Sequence, residues 1–582
     1  MYKILKKVQR ESKIKLFIAS MILVSINIAF GQDNTVSGQN QNYTPVVIQQ
    51  VLLDANNISS YIINTGIFNQ NVLSVNWPGF EWPKGTGKYA IFTSGLCIGA
   101  YVNNELREAM ASYKGEYAPG YIVDSSGYTL VKTDSHFKIY KVKRGDSYIT
   151  NPDWLNWGLM VPYGAPFVDV NHNGIYEYFA DTPGVSGAVQ TLFVCLTDGF
   201  TNEHKIGEGF GGGTLPLYAE VHMTAWAYTS GCLNDVQFLK WVVINRSYSQ
   251  WNKTYFAIFS DCDLGYPSDD YNGCDTALQL CYTYNGENMD GTGNGVSYGL
   301  DPPAVGMCLL ESPINKGINP SRRIGLSSFN YITCTSCPSP ECERDPNGEP
   351  IGAYNFMSGV KKDRTPWVFP PGGSANYVTK FCYSGDPEAG QGWTENSGSV
   401  WNCGGPGFYS GTIVPVNPFG DRRFILGSGA DNLTVNPGDT QTIVMAQLIA
   451  RGTDYLNSVT KLKLLSGCVR DFYNQYIGIK PISSSVPGSF ELYQNYPNPF
   501  NPSTKIKFLI PDFPLLKGVR GMGVRLVIYD ILGCEVTTLV NEQLKPGTYE
   551  VTWDASDYPS GVYFYKLTTD NFNQTKRMVL IK

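Results

Sequence analysis

Short apolar and aromatic runs, interrupted about every ten residues by turn-forming residues, are the feature that most restricts how this chain can fold. Examples run from Tyr89 to Phe92, from Gln190 to Leu196, from Val236 to Ile244 and from Tyr255 to Phe259. Runs of this length, bounded by Gly, Pro, Asn and Asp, are typical of strands joined by tight turns. The 61 glycines and 35 prolines supply those turns along the 582 residues. The sequence therefore predicts a mostly β protein.

The predicted strands fill a body from residue 46 to residue 480, which we expect to be a multi-sheet β-sandwich, with a division into two subdomains near 190–230 as one option. One amphipathic helix is expected near 453–477, because Leu462, Leu465, Val469 and Phe472 recur at intervals of three and four residues. A polar, turn-rich stretch at 481–489 follows and is typical of a linker between domains. A second domain is expected from residue 490 to residue 582.

The first residues of the chain have the pattern of a secretory signal. A basic region with six Lys or Arg residues precedes an apolar run from Leu16 to Phe30 and a cleavage pattern that ends at Gly31. A membrane anchor is the alternative, but fifteen residues fall short of the ~20 that a spanning helix needs. We expect a signal peptide at 1–31, a polar leader at 32–45 and no transmembrane segment after signal removal. The net charge of -6 and the absence of a basic stripe in the body speak against a nucleic-acid partner.

Fourteen cysteines are compatible with an oxidising compartment. Cys334 and Cys337 form a Cys-x-x-Cys pair with Cys342 close behind, a spacing that suits either loop-stapling disulfides or a zinc knuckle. The four histidines are scattered, so a second pair of zinc ligands is not evident. Disulfides are the favoured interpretation.

The last ninety-three residues contain five strand-like segments in a fixed order. They are YPNPFNPST from Tyr496, VIYDILGCEVTTLV from Val527, PGTYEVTWDA from Pro546, SGVYFYKL from Ser560 and KRMVLIK from Lys576. In order and wording these segments resemble the type A C-terminal sorting domain of type IX secretion cargo, which is found in Bacteroidota. The resemblance implies an immunoglobulin-like β-sandwich at 490–582, recognition by the outer-membrane translocon, and delivery through the periplasm to the cell surface or the extracellular space.

Parts of the body are similar to large secreted proteins that carry the same tail. These segments run from Gly207 to Tyr228, from Ser260 to Thr276 and from Asp301 to Ile314. The similarity implies no particular activity.

Two acidic stretches of the body are candidate calcium sites. In the first, Asp169, Asn171 and Asn173 alternate as in a calcium-binding loop, and Asp181 stands one residue beyond the position of the usual bidentate carboxylate. The second holds five carboxylates within fifteen residues: Asp261, Asp263, Asp269, Asp270 and Asp275. Oxygen ligands favour calcium over zinc. The alternatives are an Asx-rich turn for the first stretch and a solvated loop for the second.

The sequence leaves two functions open for the body. The first is a structural or binding module, calcium-stabilised and adhesive, that contacts a glycan or a protein through exposed aromatic side chains. The second is a secreted hydrolase acting on polysaccharide or protein, with acid and base groups among Glu203, His204, Glu208, Glu220 and His222. The hydrolase predicts a deep cleft that gathers these groups with perturbed pKa values, whereas the binding module predicts them dispersed on turns.

Overall fold

The structure is a computed structural model that describes residues 46–581 apart from 75–76, 126–127, 172, 174, 206–208, 292–296, 319–321, 370–376, 408–410, 478–479, 484–488, 512–521, 545–546, 556–557 and 570–571. The predicted signal peptide and polar leader lie outside the described residues. Val46–Val123 and Val131–Lys582 form one compact unit, and Asp124–Leu130 fall outside it. The chain is mostly β, with 45% strand and 11% helix, which confirms the predicted fold class.

The first body sheet has ten strands. Its main path, in spatial order, is Ser328–Thr333, Arg422–Gly429, Asn252–Cys262, Thr93–Val102, Ile67–Phe68, Ser59–Ile63, Phe80–Glu81 and Tyr89–Ile91. Gln50–Leu53 pairs with Ser59–Ile63, and Glu105–Ala109 pairs with Thr93–Val102. The pairings between these strands are antiparallel. Strands that are far apart in sequence are thus neighbours in the sheet.

The second body sheet has nine strands. Its path runs through Ala118–Pro119, Gln190–Thr197, Ala219–Ala227, Val236–Asn245, Thr440–Ala450, Ala304–Glu311, Leu280–Asn285 and Asp270–Asp275, and Tyr140–Lys143 pairs with Gln190–Thr197. The region near 190–230, considered as a subdomain boundary, contains two strands that pair along eight residues of this one sheet.

The two body sheets share one hydrophobic core. That core takes buried side chains from both sheets, and the rings of Phe68 in the first sheet and Trp241 in the second lie 5.8 Å apart. A buried polar chain also crosses between the sheets, because Gln237 Oε1 accepts hydrogen bonds from Ser60 Oγ at 2.6 Å and from Gln447 Nε2 at 2.8 Å. Face-to-face sheets around a shared core form a sandwich.

Three α-helices are present in the described part of the chain: α1 at Pro152–Asn156, α2 at Pro350–Ser358 and α3 at Tyr455–Ile477. Helix α3 confirms the helix predicted near 453–477. Asp454 caps it, since Asn457 N donates to Asp454 Oδ1 at 2.8 Å. Leu462 and Val469 are buried in a second apolar cluster against the outer face of the second sheet, and a Cys232–Cys468 disulfide holds the helix there.

Short two-stranded pairs also decorate the described part of the body. They include Gln70–Asn71 with Trp77–Pro78, Phe167–Val168 with Thr182–Pro183, Ile314–Asn315 with Arg322–Arg323, Trp367–Phe369 with Tyr377–Thr379, and Ser399–Trp401 with Thr412–Val414. Further disulfides join Cys334 to Cys337 and Cys342 to Cys403, in agreement with the disulfide interpretation. Within the described ranges, no helix is long and apolar enough to cross a membrane.

The C-terminal residues form two four-stranded sheets. One contains Lys480–Ser483, Gly547–Asp554, Ser503–Ile510 and Glu491–Leu492, and the other Glu535–Leu544, Met522–Tyr529, Gly561–Thr569 and Phe572–Leu580. Both contribute to one separate core that contains Phe508, Leu526, Trp553 and Tyr565. The first residues of the predicted linker are therefore paired in a tail sheet, and the domain bounds stay a prediction, as does the immunoglobulin-like topology.

Candidate functional site

Two of the five carboxylates predicted as calcium ligands in the second stretch meet a third that the sequence did not point to. Asp261 lies near the end of strand Asn252–Cys262, Asp263 follows that strand, and Asp421 precedes strand Arg422–Gly429. One carboxylate oxygen from each lies within 4.8 Å of the other two. The antiparallel register that places Asp261 opposite Arg423 brings these distant segments together. We call these three residues the aspartate triad.

Arg423 borders the aspartate triad. Its Nη2 atom lies 3.4 Å from Asp261 Oδ2, and its Nη1 atom donates to Asp421 Oδ1. Its Nε donates to the hydroxyl of Tyr113 at 2.6 Å, and that hydroxyl donates to Asp345 Oδ2 at 3.1 Å. Asp261, Asp345 and Asp421 thus lie close to one guanidinium, and Asp263 adds a fourth carboxylate through the aspartate triad.

The carboxylates of this cluster are held in an environment that disfavours their charge. Burial is the largest cause that raises the pKa of Asp261, Asp263 and Asp345, and neighbouring carboxylates raise it further, while Arg423 lowers it. Asp261 is 3% exposed, and no described group within hydrogen-bond distance is a partner of its Oδ1 atom. An oxygen in that position lacks a partner that a buried polar atom ordinarily has.

The other carboxylates of the second stretch lie elsewhere. Asp269 accepts hydrogen bonds from Asn285 Nδ2 at 3.0 Å and from Gly291 N at 2.8 Å, and burial raises its pKa to about 6. Asp270 accepts from Leu264 N at 3.2 Å. Asp275 ends the strand that Asp270 begins, about 16 Å away at ~3.3 Å per residue. The structure therefore splits the five residues into three places.

The first acidic stretch forms a turn network of its own. Asp181 accepts from Val170 N at 2.9 Å and from Glu177 N at 2.8 Å. Asn171 Oδ1 accepts from Asn173 N at 3.1 Å, and Asp169 Oδ1 accepts from the same amide at 3.2 Å. These contacts are those of Asx turns, and they neither need nor exclude an ion. Calcium at Asp169, Asn171, Asn173 and Asp181 stays a prediction.

Exposed aromatic rings surround this first stretch. Tyr178 stacks edge-on against Tyr148 at 5.3 Å and against Phe179 at 5.4 Å. Phe179 is 64% exposed, and the aliphatic side chains of Ile149 and Ile175 are exposed beside them in sequence. We call Tyr148, Tyr178 and Phe179 the aromatic cluster. The sequence signal for it is the short run Tyr176-Glu177-Tyr178-Phe179, which resembles a strand as much as an exposed turn.

One of the candidate hydrolase groups, His204, is part of a buried acid–base cluster. Its Nε2 atom lies 2.7 Å from the carbonyl oxygen of Asp198, and its Nδ1 atom lies 3.5 Å from Glu116 Oε1. Burial raises the pKa of Glu116 to about 8 and that of Asp198 to about 7, and it lowers the pKa of His204. These perturbed pKa values are what the hydrolase alternative predicts.

Backbone amides of the chain already donate hydrogen bonds to the carboxylates of that cluster. Gly213 N donates to Glu116 Oε1 at 2.6 Å, Met110 N donates to Glu116 Oε2 at 3.0 Å, and Gly212 N donates to Glu108 Oε2 at 2.9 Å. A Cβ atom on Gly212 would lie 2.4 Å from Glu116 Oε1, so only glycine fits there. The glycine-rich loop at 209–213 therefore binds side chains of its own protein.

Two other hydrolase candidates, Glu220 and His222, pair with each other. His222 Nε2 lies 3.0 Å from Glu220 Oε1, which also accepts from Arg246 Nη2 at 2.8 Å. Burial opposes ionisation of Glu220, but the hydrogen bonds from His222 and Arg246 outweigh it and lower its pKa to about 2. Glu203 borders a small recess beside Glu116, and Glu208 lies outside the described residues.

The sequence did not point to several residues that complete these clusters, namely Glu108, Glu116, Asp198, Asp345, Asp421 and Arg423. Asp198 stands close to His204 in sequence, whereas each of the others is far from the predicted candidates and joins them only through the sheet pairing or through a loop that crosses the sheet edge.

Together, the sheets define a β-sandwich body and a separate C-terminal β domain. Residues 494–582 match the family model of the secretion system C-terminal sorting domain. That match confirms the resemblance found in the sequence. The sorting domain indicates export by type IX secretion, to the cell surface or the extracellular space, and implies interaction with the type IX machinery.

The comparisons with known proteins assign no family to the body. No curated protein matches the chain. Among solved structures, a mutant of Salmonella alpha-2-macroglobulin is similar over 80% of this chain, with 9% identity and a TM-score of 0.14. The chain spans 26% of the length of that protein.

Proposed function

We propose that the body is a binding module displayed outside the cell, and that the aromatic cluster is its contact surface for a glycan or a protein partner. The single observation that carries the proposal is the exposure of Tyr148, Tyr178 and Phe179 in mutual ring contact. Exposed apolar groups of this kind mark interaction surfaces, and aromatic rings offer contact area at low entropic cost.

The burial of the acid–base cluster supports binding over hydrolysis. The side chains of His204 and Glu116 are 2% and 8% exposed, and both oxygens of Glu116 accept backbone hydrogen bonds. A general acid or base must come within hydrogen-bond reach of a substrate. Glu116 instead holds Gly213 against the body, and His204 contacts Asp198 and Glu116.

The hydrolase is the second candidate because the raised pKa values of Glu116 and Asp198 fit acid–base chemistry. Turnover of polysaccharide and protein substrates by the secreted protein would favour it, provided that His204→Ala abolishes the turnover and His136→Ala, at an exposed histidine, does not.

Binding to glycan arrays and to surface extracts tests the proposal. We expect the double variant Tyr178→Ala/Phe179→Ala to lose at least about tenfold in affinity, since removing two aromatic contacts costs on the order of 1–3 kcal/mol. The melting temperature should stay close to that of the parent, because Tyr178 is 43% and Phe179 64% exposed and neither belongs to a buried core cluster. Tyr377→Ala, at an exposed tyrosine on a different two-stranded pair, is the matched control. Equal binding by the double variant and the parent would contradict the proposal.

A further inference from the structure

We infer that the aspartate triad, Asp261, Asp263 and Asp421, binds one calcium ion that fastens the end of strand Asn252–Cys262 to the start of strand Arg422–Gly429. The inference does not depend on the ligand of the aromatic cluster. It replaces the ligand set expected from the sequence, because Asp421 takes the place of Asp269, Asp270 and Asp275.

The distances suit a single hard cation. Calcium–oxygen bonds are about 2.3–2.6 Å long, so two oxygens on opposite sides of one ion lie up to about 5 Å apart. The three triad oxygens lie within 4.8 Å of one another. The donors are all carboxylate oxygens, which select calcium or magnesium over softer metals. Three anionic ligands from two backbone segments fit the irregular coordination that calcium accepts better than the strict octahedron of magnesium.

The charges of the surroundings favour a further cation. Asp261, Asp345 and Asp421 each lie within 4 Å of the guanidinium of Arg423, and Asp263 adds a fourth carboxylate through the aspartate triad. One positive charge cannot balance four buried or half-buried carboxylates. Burying an uncompensated charge is costly, so the cluster gains from a divalent ion.

A buried oxygen without a partner points to the position of the ion. Asp261 Oδ1 has no hydrogen-bond partner among the described atoms, although its residue is 3% exposed and its Oδ2 atom faces Arg423. A metal ion would satisfy that oxygen. Asp263 and Asp421 are only half-buried, which leaves a route from solvent to the triad.

Calorimetric titration of calcium into the chelator-treated, full-length secreted protein tests the inference. We expect Asp421→Asn to remove one equivalent of binding or to weaken it at least about tenfold, since ligand charge count tunes calcium affinity over several decades. The calcium-dependent rise in melting temperature should shrink with it. Asp263→Asn, at a half-buried position, is the second variant if Asp421→Asn does not fold.

Asp275→Asn is the matched control, because Asp275 belongs to the same acidic stretch of sequence but pairs with Lys463 at the far end of a strand. It should bind calcium as the parent does. Asp169→Asn distinguishes the first acidic stretch, since loss of the same equivalent there would move the site away from the triad. Absence of binding in the parent, unchanged binding in both triad variants, or an equal response to magnesium would overturn the inference.

Discussion

The tail and the body differ in how much of their role can be predicted from local sequence patterns. The tail has eight strands in two sheets, and five strand segments in a fixed order resemble one family, whose model matches residues 494–582. The body has nineteen strands in its two large sheets, and their neighbours are often distant in sequence. The role of the tail can therefore be predicted from local sequence segments. The clusters of the body, in contrast, consist of residues that only the fold brings together.

Removal of a large core side chain from each region gives the sharpest test of this comparison. Trp241 and Trp553 are buried in separate hydrophobic clusters. We expect either Trp→Ala change to cost about 3–5 kcal/mol through the lost contacts and the cavity. Scanning calorimetry should show Trp553→Ala lowering only the transition of the tail. A shift of the body transition as well would contradict two independent cores.

Ion pairs sharpen the comparison, because the body contains fully buried pairs, whereas the described pairs of the tail are at least partly exposed. Lys361 contacts Glu343 and Asn402 in the body, and both members of the Lys361–Glu343 pair are at most 1% exposed. Lys361→Met leaves the Glu343 carboxylate buried and uncompensated, so we expect a loss of about 3 kcal/mol in urea unfolding. Arg525→Met breaks the exposed Arg525–Glu535 pair of the tail and should cost less than about 1 kcal/mol. Similar costs for both would be contrary to the account.

The body should also lose stability as pH rises. Burial raises the pKa of Glu116 to about 8 in the folded body, whereas in the unfolded chain this carboxyl ionises near its ordinary pKa of 4.5. The folded state binds the extra proton between these values, so stability falls as pH rises from about 4.5 to 8. Urea unfolding at several pH values should show this fall, on the order of a few kcal/mol for the parent. Glu116→Gln should flatten the slope, and an unchanged slope would refute the assignment.

The smallest expected effect concerns the start of helix α3. Asp454→Ala removes the acceptor for the Asn457 amide and should cost about 1 kcal/mol. Asp471→Ala, at an exposed position inside the same helix, should leave the unfolding free energy unchanged or slightly higher, since alanine favours helices. A larger cost at Asp471 would show that the cap is not what fixes the start of the helix.

Much of the architecture follows from local patterns. The three- and four-residue spacing of Leu462, Leu465 and Val469 predicts helix α3, and the order of tail segments predicts the sorting domain. The strand order of the body does not follow, because the pairing of Asn252–Cys262 with Arg422–Gly429 depends on contacts across the whole fold. For the same reason Asp261 and Asp263 were predicted as cation ligands while Asp421 was not.

Charged residues that are close in sequence can also be far apart in space when they lie on an extended strand. Asp270 and Asp275 appear as one acidic group in the sequence, yet an extended strand separates them. His204 likewise stands among glycines and charged residues in sequence, and although Asp198 is close by in sequence, its partner Glu116 comes from a distant part of the body. Side-chain chemistry at sheet edges is therefore the part that sequence patterns predict least.

Fractionation of cells that produce the full chain or a chain truncated before Phe490 tests the central claim, that the tail is the export address and the body its cargo. Immunoblots of the periplasm, the cell surface and the medium give the distribution of each form, with the thermal melt of the truncated body as a check on its folding. We expect the full chain at the surface or in the medium, and the truncated, folded body in the periplasm. Delivery of the truncated body to the surface at the level of the full chain would contradict the claim.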